Sequence, residues 1–181
     1  GLDMTVAALR DDLAEGRRSL SAASERDREA ADRMAALAEQ AGTVALRGPA
    51  VVVRLADSDL RPPSPDDAGA YRIYDGDLQL VANALFAAGA EAVAVNGSRL
   101  VATSAIRAAG DTVVVNFRPQ ASPFRMVAIG ADAARFDRSE VAQRFRRWKS
   151  LFGLGFDVST EPDAVVPGFI GRVAIVHATP S

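Results

Sequence analysis

Six polar side chains, Asn83, Glu91, Asn96, Arg99, Ser104 and Arg107, fall within the single block Val81–Arg107. Two arginines in such a block offer planar donor forks suited to an oxyanion such as a carboxylate, a phosphate or a peptide terminus. Amides beside them can fix orientation, because each donates and accepts. Asn83, Asn96, Arg99 and Arg107 are therefore the candidates for ligand or partner binding. A structural reading stands beside this one. Asn83 lies between the apolar helix positions Val81 and Leu85, where a partly buried amide would tie helix to loop. Asn96-Gly97 is a two-residue hairpin signal, because both turn positions need positive φ.

Other chemistry is harder to assemble. Asp57, Asp59, Asp66, Asp67, Asp75 and Asp77 lack the spacing of a calcium loop and read as loop and helix-cap residues. No metal site is expected. His177 is the single histidine, and without a second histidine or a cysteine it makes a poor ligand or acyl-transfer base. The chain has no Walker loop, dinucleotide fingerprint or nucleophile elbow, and no cofactor or catalytic residue is expected. The basic run Arg144–Lys149 places its aromatics on a helical core stripe and its cations in the last turns, where the helix dipole favours them. Contact with lipid headgroups or a polyanionic polymer is a weaker alternative.

Composition sets the outer bounds. The chain has 181 residues, 49% of them hydrophobic and 24% charged, which is ordinary for a globular domain. A net charge of −2 gives no electrostatic support for nucleic-acid binding. The absence of cysteine removes disulfides, thiolate zinc sites and cysteine nucleophiles. No apolar run reaches the roughly 18–20 residues that span a bilayer. The chain opens on Gly1 in the middle of a helical pattern, so an upstream anchor is expected.

The elements that must position these residues begin with a stalk. Leu2, Val6, Leu9, Leu13, Gly16, Leu20, Ala23, Asp27, Ala30, Met34, Leu37 and Ala41 alternate in steps of four and three, the spacing of a heptad seam. A helix over 1–41 would be roughly 60 Å long and cannot bury its own seam. A weak parallel homodimer is the preferred reading, and a solvated linker is the alternative. Over 44–180 the pattern is α+β: a mainly antiparallel sheet packed by two helices, ferredoxin-like or related. Its strands are expected at Ala50–Leu55, Glu91–Val95, Leu100–Ile106, Thr112–Phe117 and Phe124–Ile129, with closing strands at Phe156–Thr160 and Arg172–Ala178. Residues 57–74, with three prolines and four aspartates between 57 and 67, read as a long mobile loop able to act as a lid. One helix starts near Asp75 or Asp77 with Leu78, Val81, Ala82, Leu85 and Phe86 facing the core. A second starts near Asp132 or Ser139 and buries Val141, Phe145, Trp148 and Phe152.

Several short motifs then occur in order: Gly48-Pro49, Asn83-Ala84-Leu85, Ala88-Gly89-Ala90-Glu91-Ala92, Val95-Asn96-Gly97, Arg99, Ser122-Pro123-Phe124 and Ala128-Ile129-Gly130. Together they resemble the bacterial domain of unknown function 881 family, the YlxW/YlxX type, over about Thr43–Pro180. Phe124 departs from that pattern, which commonly has a hydroxylated aromatic there, and the proline-rich 61–65 segment lengthens the first loop. The resemblance implies a short cytoplasmic tail, one transmembrane helix, a coiled coil and an extracytoplasmic domain, hence a single-pass protein of the cell membrane. It also implies a protein partner in cell division or envelope maintenance, and it carries over no catalytic residue. The first expectation is therefore a non-catalytic, membrane-tethered envelope scaffold or adaptor. The second is a sensor domain that binds a small anion through the Asn83–Arg107 region.

Overall fold

The computed structural model describes residues 2–171, with side chains from Glu15 onward. His177 and the strand expected at 172–178 lie outside the described residues. The chain divides into two units, residues 1–41 and 42–181.

The first unit is one helix, α1 (Leu2–Gln40), which runs through Gly16 without a break. Leu20, Met34 and Leu37 of the seam are 72%, 70% and 61% exposed. Leu2, Val6, Leu9 and Leu13 are outside the described side chains. Ion pairs Glu15–Arg18 and Glu29–Arg33 stand one helical turn apart on its surface and support it by a few tenths of a kcal/mol each. Among the described residues no helix is long and apolar enough to cross a membrane.

The second unit is α+β, and every strand pairing among its described residues is antiparallel. Its elements are β1 (Leu46–Ala56), a 3₁₀ helix (Pro65–Tyr71), α2 (Asp75–Ala87), β2 (Ala92–Val95), β3 (Ser98–Leu100), β4 (Ile106–Ala109), β5 (Thr112–Val115), β6 (Arg118–Gln120), β7 (Phe124–Ile129), α3 (Ala133–Asp137), α4 (Glu140–Phe152) and β8 (Gly155–Val166). The main sheet has the order β3-β2-β7-β1-β8, and β4-β5-β6 form a second sheet of three strands.

The apolar run Ala50–Val53 supplies both faces of the central strand, as a strand covered on both sides requires. Val51, Val53 and Leu55 join Leu78, Val81, Leu85 and Phe145 of the helices in the larger core. Ala50 and Val52 point the other way, into a second buried cluster with Ala92, Ala94, Val127 and Ile129. The small sheet turns Val113 and Val115 into the larger core. It is tied to α2 by Ala108 N–H donating to Asp75 Oδ2 at 3.0 Å and Gln79 Nε2 donating to Ile106 O at 2.7 Å.

Several expectations need correction. Leu100–Ile106 is not one strand: β3 ends at Leu100 and β4 begins in the other sheet at Ile106. Between them Ser104 bends the chain, its Oγ accepting from Val101 N at 2.9 Å. The strand expected to run to Phe117 stops at Val115, and the loop expected at 118–123 contains β6. The 57–74 segment is pinned rather than free. Asp57 Oδ1 accepts from Ile73 N at 2.8 Å, Ser58 N donates to Tyr71 O at 2.9 Å, and Tyr71 packs edge-on to Phe152 at 5.7 Å. A 3₁₀ turn led by Pro65 fills it. Tyr74, not an aspartate, caps α2, and Asp77 Oδ2 accepts from the Tyr74 N–H at 2.9 Å. Phe86 leaves the core stripe and is 42% exposed. Both expected starts of the second helix are used. Asp132 caps α3 and Ser139 caps α4 through side-chain oxygens that accept backbone N–H bonds.

Candidate functional site

The four candidate residues separate into three environments. Asn83 projects from α2 and is exposed, not half-buried as its helix position suggested. It lines a cleft of about 400 Å³ with Gln79, Phe86, Ser104 and Arg107, between α2 and the segment leading into β4. Arg107 is exposed on β4. It borders this cleft and also a second cavity of about 390 Å³.

Asn96 belongs to the fold. It sits at φ 45 beside Gly97 at φ 79 in the β2–β3 turn. Its Oδ1 accepts from Arg125 N at 2.7 Å and its backbone N–H donates to Arg125 O at 2.9 Å. The turn is thereby latched to the start of β7.

Arg99 is the unusual residue. It stands on β3 opposite Ala94, on the sheet face away from α2 and α4. It is only 5% exposed. The short side chain of Ala94 leaves it room, and Gly42 lies over the guanidinium. A Cβ built on Gly42 would stand 3.7 Å from both Nε and Nη2 of Arg99 and 2.6 Å from Val101 Cγ1. Gly42 O in turn accepts from Phe169 N at 2.7 Å, which fastens residues 168–171 as a strap beside the arginine. Within the strap, position 168 must be glycine because a Cβ there would collide with Thr43 O.

Among the described residues, Nε and Nη1 of Arg99 are buried with no hydrogen-bond partner. Five other cations of this unit are ion-paired: Arg47 with Asp163, Arg72 with Asp111, Arg125 with Glu161, Arg146 with Asp137, and Lys149 with Asp157. Burial pushes the Arg99 guanidinium below its ordinary value, yet an arginine stays charged at neutral pH. A buried charge without a partner costs several kcal/mol. Arg99 also lines a hole of about 10 Å³ whose wall includes Asn116, Arg118, Gly168 and Ile170. That is about the space of one oxygen atom.

Asn116, Phe117 and Arg118 were not singled out from the sequence. Asn116 and Phe117, at φ 50 and 64, form the β5–β6 turn. Asn116 Nδ2 donates to Arg99 O at 2.7 Å. Phe117 occupies the position that glycine holds in the β2–β3 turn, and it is 97% exposed. A bulky residue at positive φ costs about 1–2 kcal/mol. The signal was present: Val115-Asn116-Phe117 repeats Val95-Asn96-Gly97 with Phe in the place of Gly.

The remaining candidates have structural roles. Asp57, Asp75 and Asp77 accept backbone N–H bonds, and no metal-holding group of acids or histidines occurs among the described residues. Burial raises the Asp77 carboxyl above its ordinary value, partly countered by the Tyr74 N–H bond; Asp75 adds to the rise and Arg144 opposes it. In the basic run, Arg144 lies over Trp148 at 5.9 Å, while Arg146 and Lys149 are ion-paired.

The fold is thus an α+β domain of antiparallel sheets and helices, with clefts at the junction of its two sheets. The chain belongs to the family described as bacterial protein of unknown function (DUF881), whose model matches residues 33–179. It is 31% identical over 174 residues to UPF0749 protein Rv1823 of Mycobacterium tuberculosis strain H37Rv, covering 91% of this chain and 53% of that protein. It is 36% identical over 89 residues to UPF0749 protein YlxW of Bacillus subtilis strain 168, covering 49% of this chain and 38% of that protein. The chain spans about half the length of the mycobacterial relative. A crystal structure of an uncharacterized conserved protein from Mycobacterium tuberculosis has the same fold, with a TM-score of 0.61 at 20% identity, covering 82% of this chain and 99% of that chain.

Proposed function

We propose that this chain is a non-catalytic binding protein of the cell envelope, in which the α+β domain takes up an anionic group at Arg99. The observation that carries the reading is the buried guanidinium with Nε and Nη1 unpartnered among the described residues. Such a group destabilises the fold unless a ligand repays it, and its planar fork suits an oxyanion. The strand order β8-β1-β7-β2, joined through α2 and α4, supports a ferredoxin-like core into which the small sheet is inserted. That insertion carries Asn116 and Arg118 to the arginine.

The stalk forms the second part of the proposal. The exposed seam residues Leu20, Met34 and Leu37 favour a parallel homodimer through 1–41. Tethering of the domain outside the membrane through a segment upstream of Gly1, and service as a scaffold or adaptor in division or envelope maintenance, rest on the family's architecture. The test is thermal unfolding of the full chain with sodium acetate or inorganic phosphate, at constant ionic strength. The reading expects at least one of the two anions to raise the midpoint in the wild type and not in Arg99→Met. Equal responses in the two proteins would contradict it.

A further inference from the structure

The arginine hole does not stand alone. It shares Asn116 and Ile170 with the second cavity, whose wall also holds Val114, Phe117, Phe169 and Arg107. About 390 Å³ is within the range of small-ligand sites. Across the two walls the described residues include Arg99, Arg107 and Arg118 and no carboxylate. The lining therefore changes from a buried cation to phenyl and aliphatic surface. Phe117 and Ile170 are 97% and 72% exposed at its rim.

We infer that these two cavities form one site for an organic carboxylate borne next to an apolar group. This deepens the anion-binding reading and rests on it. The hole admits about one oxygen atom, so one carboxylate oxygen enters beside the Arg99 side chain. The adjoining carbon skeleton then lies against Phe117, Phe169 and Ile170. A phosphate fits this lining poorly, because its further oxygens would be pressed against apolar side chains without partners. The position of Phe117 supports the same conclusion. Its backbone conformation is one that glycine would hold without strain, and strain kept at an exposed site is characteristic of ligand contacts. The turn that strains Phe117 is also the one that, through Asn116, holds the Arg99 carbonyl. The turn that bears Phe117 is thereby held to the β3 backbone at Arg99. The chemistry is that of a peptide C terminus with an apolar last residue, or of a free aliphatic acid.

The experiment is calorimetric titration of the full chain with four probes: acetyl-Ala-Val-Phe with a free C terminus, the same peptide as its C-terminal amide, octanoate, and inorganic phosphate. The free-acid peptide is expected to bind at least tenfold more tightly than the amide, which assigns the carboxylate to a peptide terminus. Octanoate binding without the peptide supports the same site and assigns it to free acids. Phe117→Gly and Arg118→Gln, both at exposed positions, are each expected to weaken the preferred acid at least fivefold while the protein stays folded by circular dichroism. Equal binding of acid and amide overturns the inference, as does unchanged affinity in both variants. Arg99-dependent binding of phosphate alone overturns it while leaving the anion-binding reading intact. No binding by any probe overturns both.

Discussion

The side-chain amide of Asn116 donates from Nδ2 to the backbone carbonyl of Arg99 at 2.7 Å. One hydrogen bond thus joins the edge strand of the five-stranded sheet to the turn of the three-stranded one. It sets a strained hairpin tip against a buried arginine. Asn is also among the residues that best tolerate the φ of 50 found here. Asn116→Ala is expected to lose both advantages and cost about 1–3 kcal/mol. Denaturant unfolding with an unchanged slope would measure it, and a loss below about 0.5 kcal/mol would mean the two sheets are held together without this bond.

Phe117→Gly should do the opposite. Its side chain is exposed and its backbone sits at φ 64, so glycine removes strain and gives up little packing. An increase of about 1 kcal/mol in stability is expected, read as a higher thermal midpoint. A destabilised variant would show that the phenyl ring packs within the fold.

Asn96 and Asn83 are expected to part company. Asn96→Ala removes the acceptor for Arg125 N and places alanine at positive φ, at an expected cost of about 1–3 kcal/mol. Asn83→Ala changes an exposed helix position and should stay within about 0.5 kcal/mol of wild type. Equal losses at the two positions would refute the separation of roles.

Asp77 gives the fold a pH dependence of definite sign. Its carboxyl is raised above the ordinary value chiefly by burial, so the folded protein binds the proton more tightly than the unfolded chain. This contribution favours folding below the ordinary carboxylate range and is lost as pH rises through the raised folded value. Asp77→Asn keeps an oxygen able to accept from Tyr74 N and has no carboxyl proton to lose. The variant is expected to lose less stability than wild type as pH increases across that window. An identical pH profile would rule out a raised Asp77.

The stalk prediction concerns association. The wild-type chain is expected to dimerise weakly, and Leu20→Pro, in the middle of α1, to abolish the dimer while the domain beyond Gly42 keeps its melting transition. Sedimentation equilibrium reads the first and calorimetry the second. A monomeric wild-type chain at high concentration would leave α1 a solvated linker.

Much of the fold was legible because it follows from periodicity and punctuation. The Val-rich run gave β1 both of its buried faces, and Asn96-Gly97 gave the β2–β3 turn. Asp132 and Ser139, each ambiguous as a helix start, proved to be two caps of two helices. What escaped was tertiary. Nothing local says that the chain leaves the main sheet after Leu100, because the departure is set by Ser104 and by docking of β4 on α2. Asn83 reads as half-buried from its helix position, yet the cleft beside it stays open. Of the four candidate residues only Arg99 is buried with side-chain nitrogens that lack a partner among the described residues. Its significance depends on Gly42, Asn116 and Ile170, which are far from it in sequence. Asn116-Phe117 was visible as a second copy of the Asn96-Gly97 pattern. The substitution of Phe for Gly makes it unlike a turn and disguises it as the end of a strand.

The central claim is that Arg99 is kept for an anion and not for the fold. Arg99→Met retains the length of the side chain and removes its buried charge. The most direct measurement is therefore the unfolding free energy of wild type and Arg99→Met, each with and without sodium acetate at matched ionic strength. The expected result is a ligand-free variant more stable than wild type by about 1–4 kcal/mol, with acetate stabilising only the wild type. A variant less stable than wild type, with both proteins indifferent to acetate, would make Arg99 a structural residue and contradict the account.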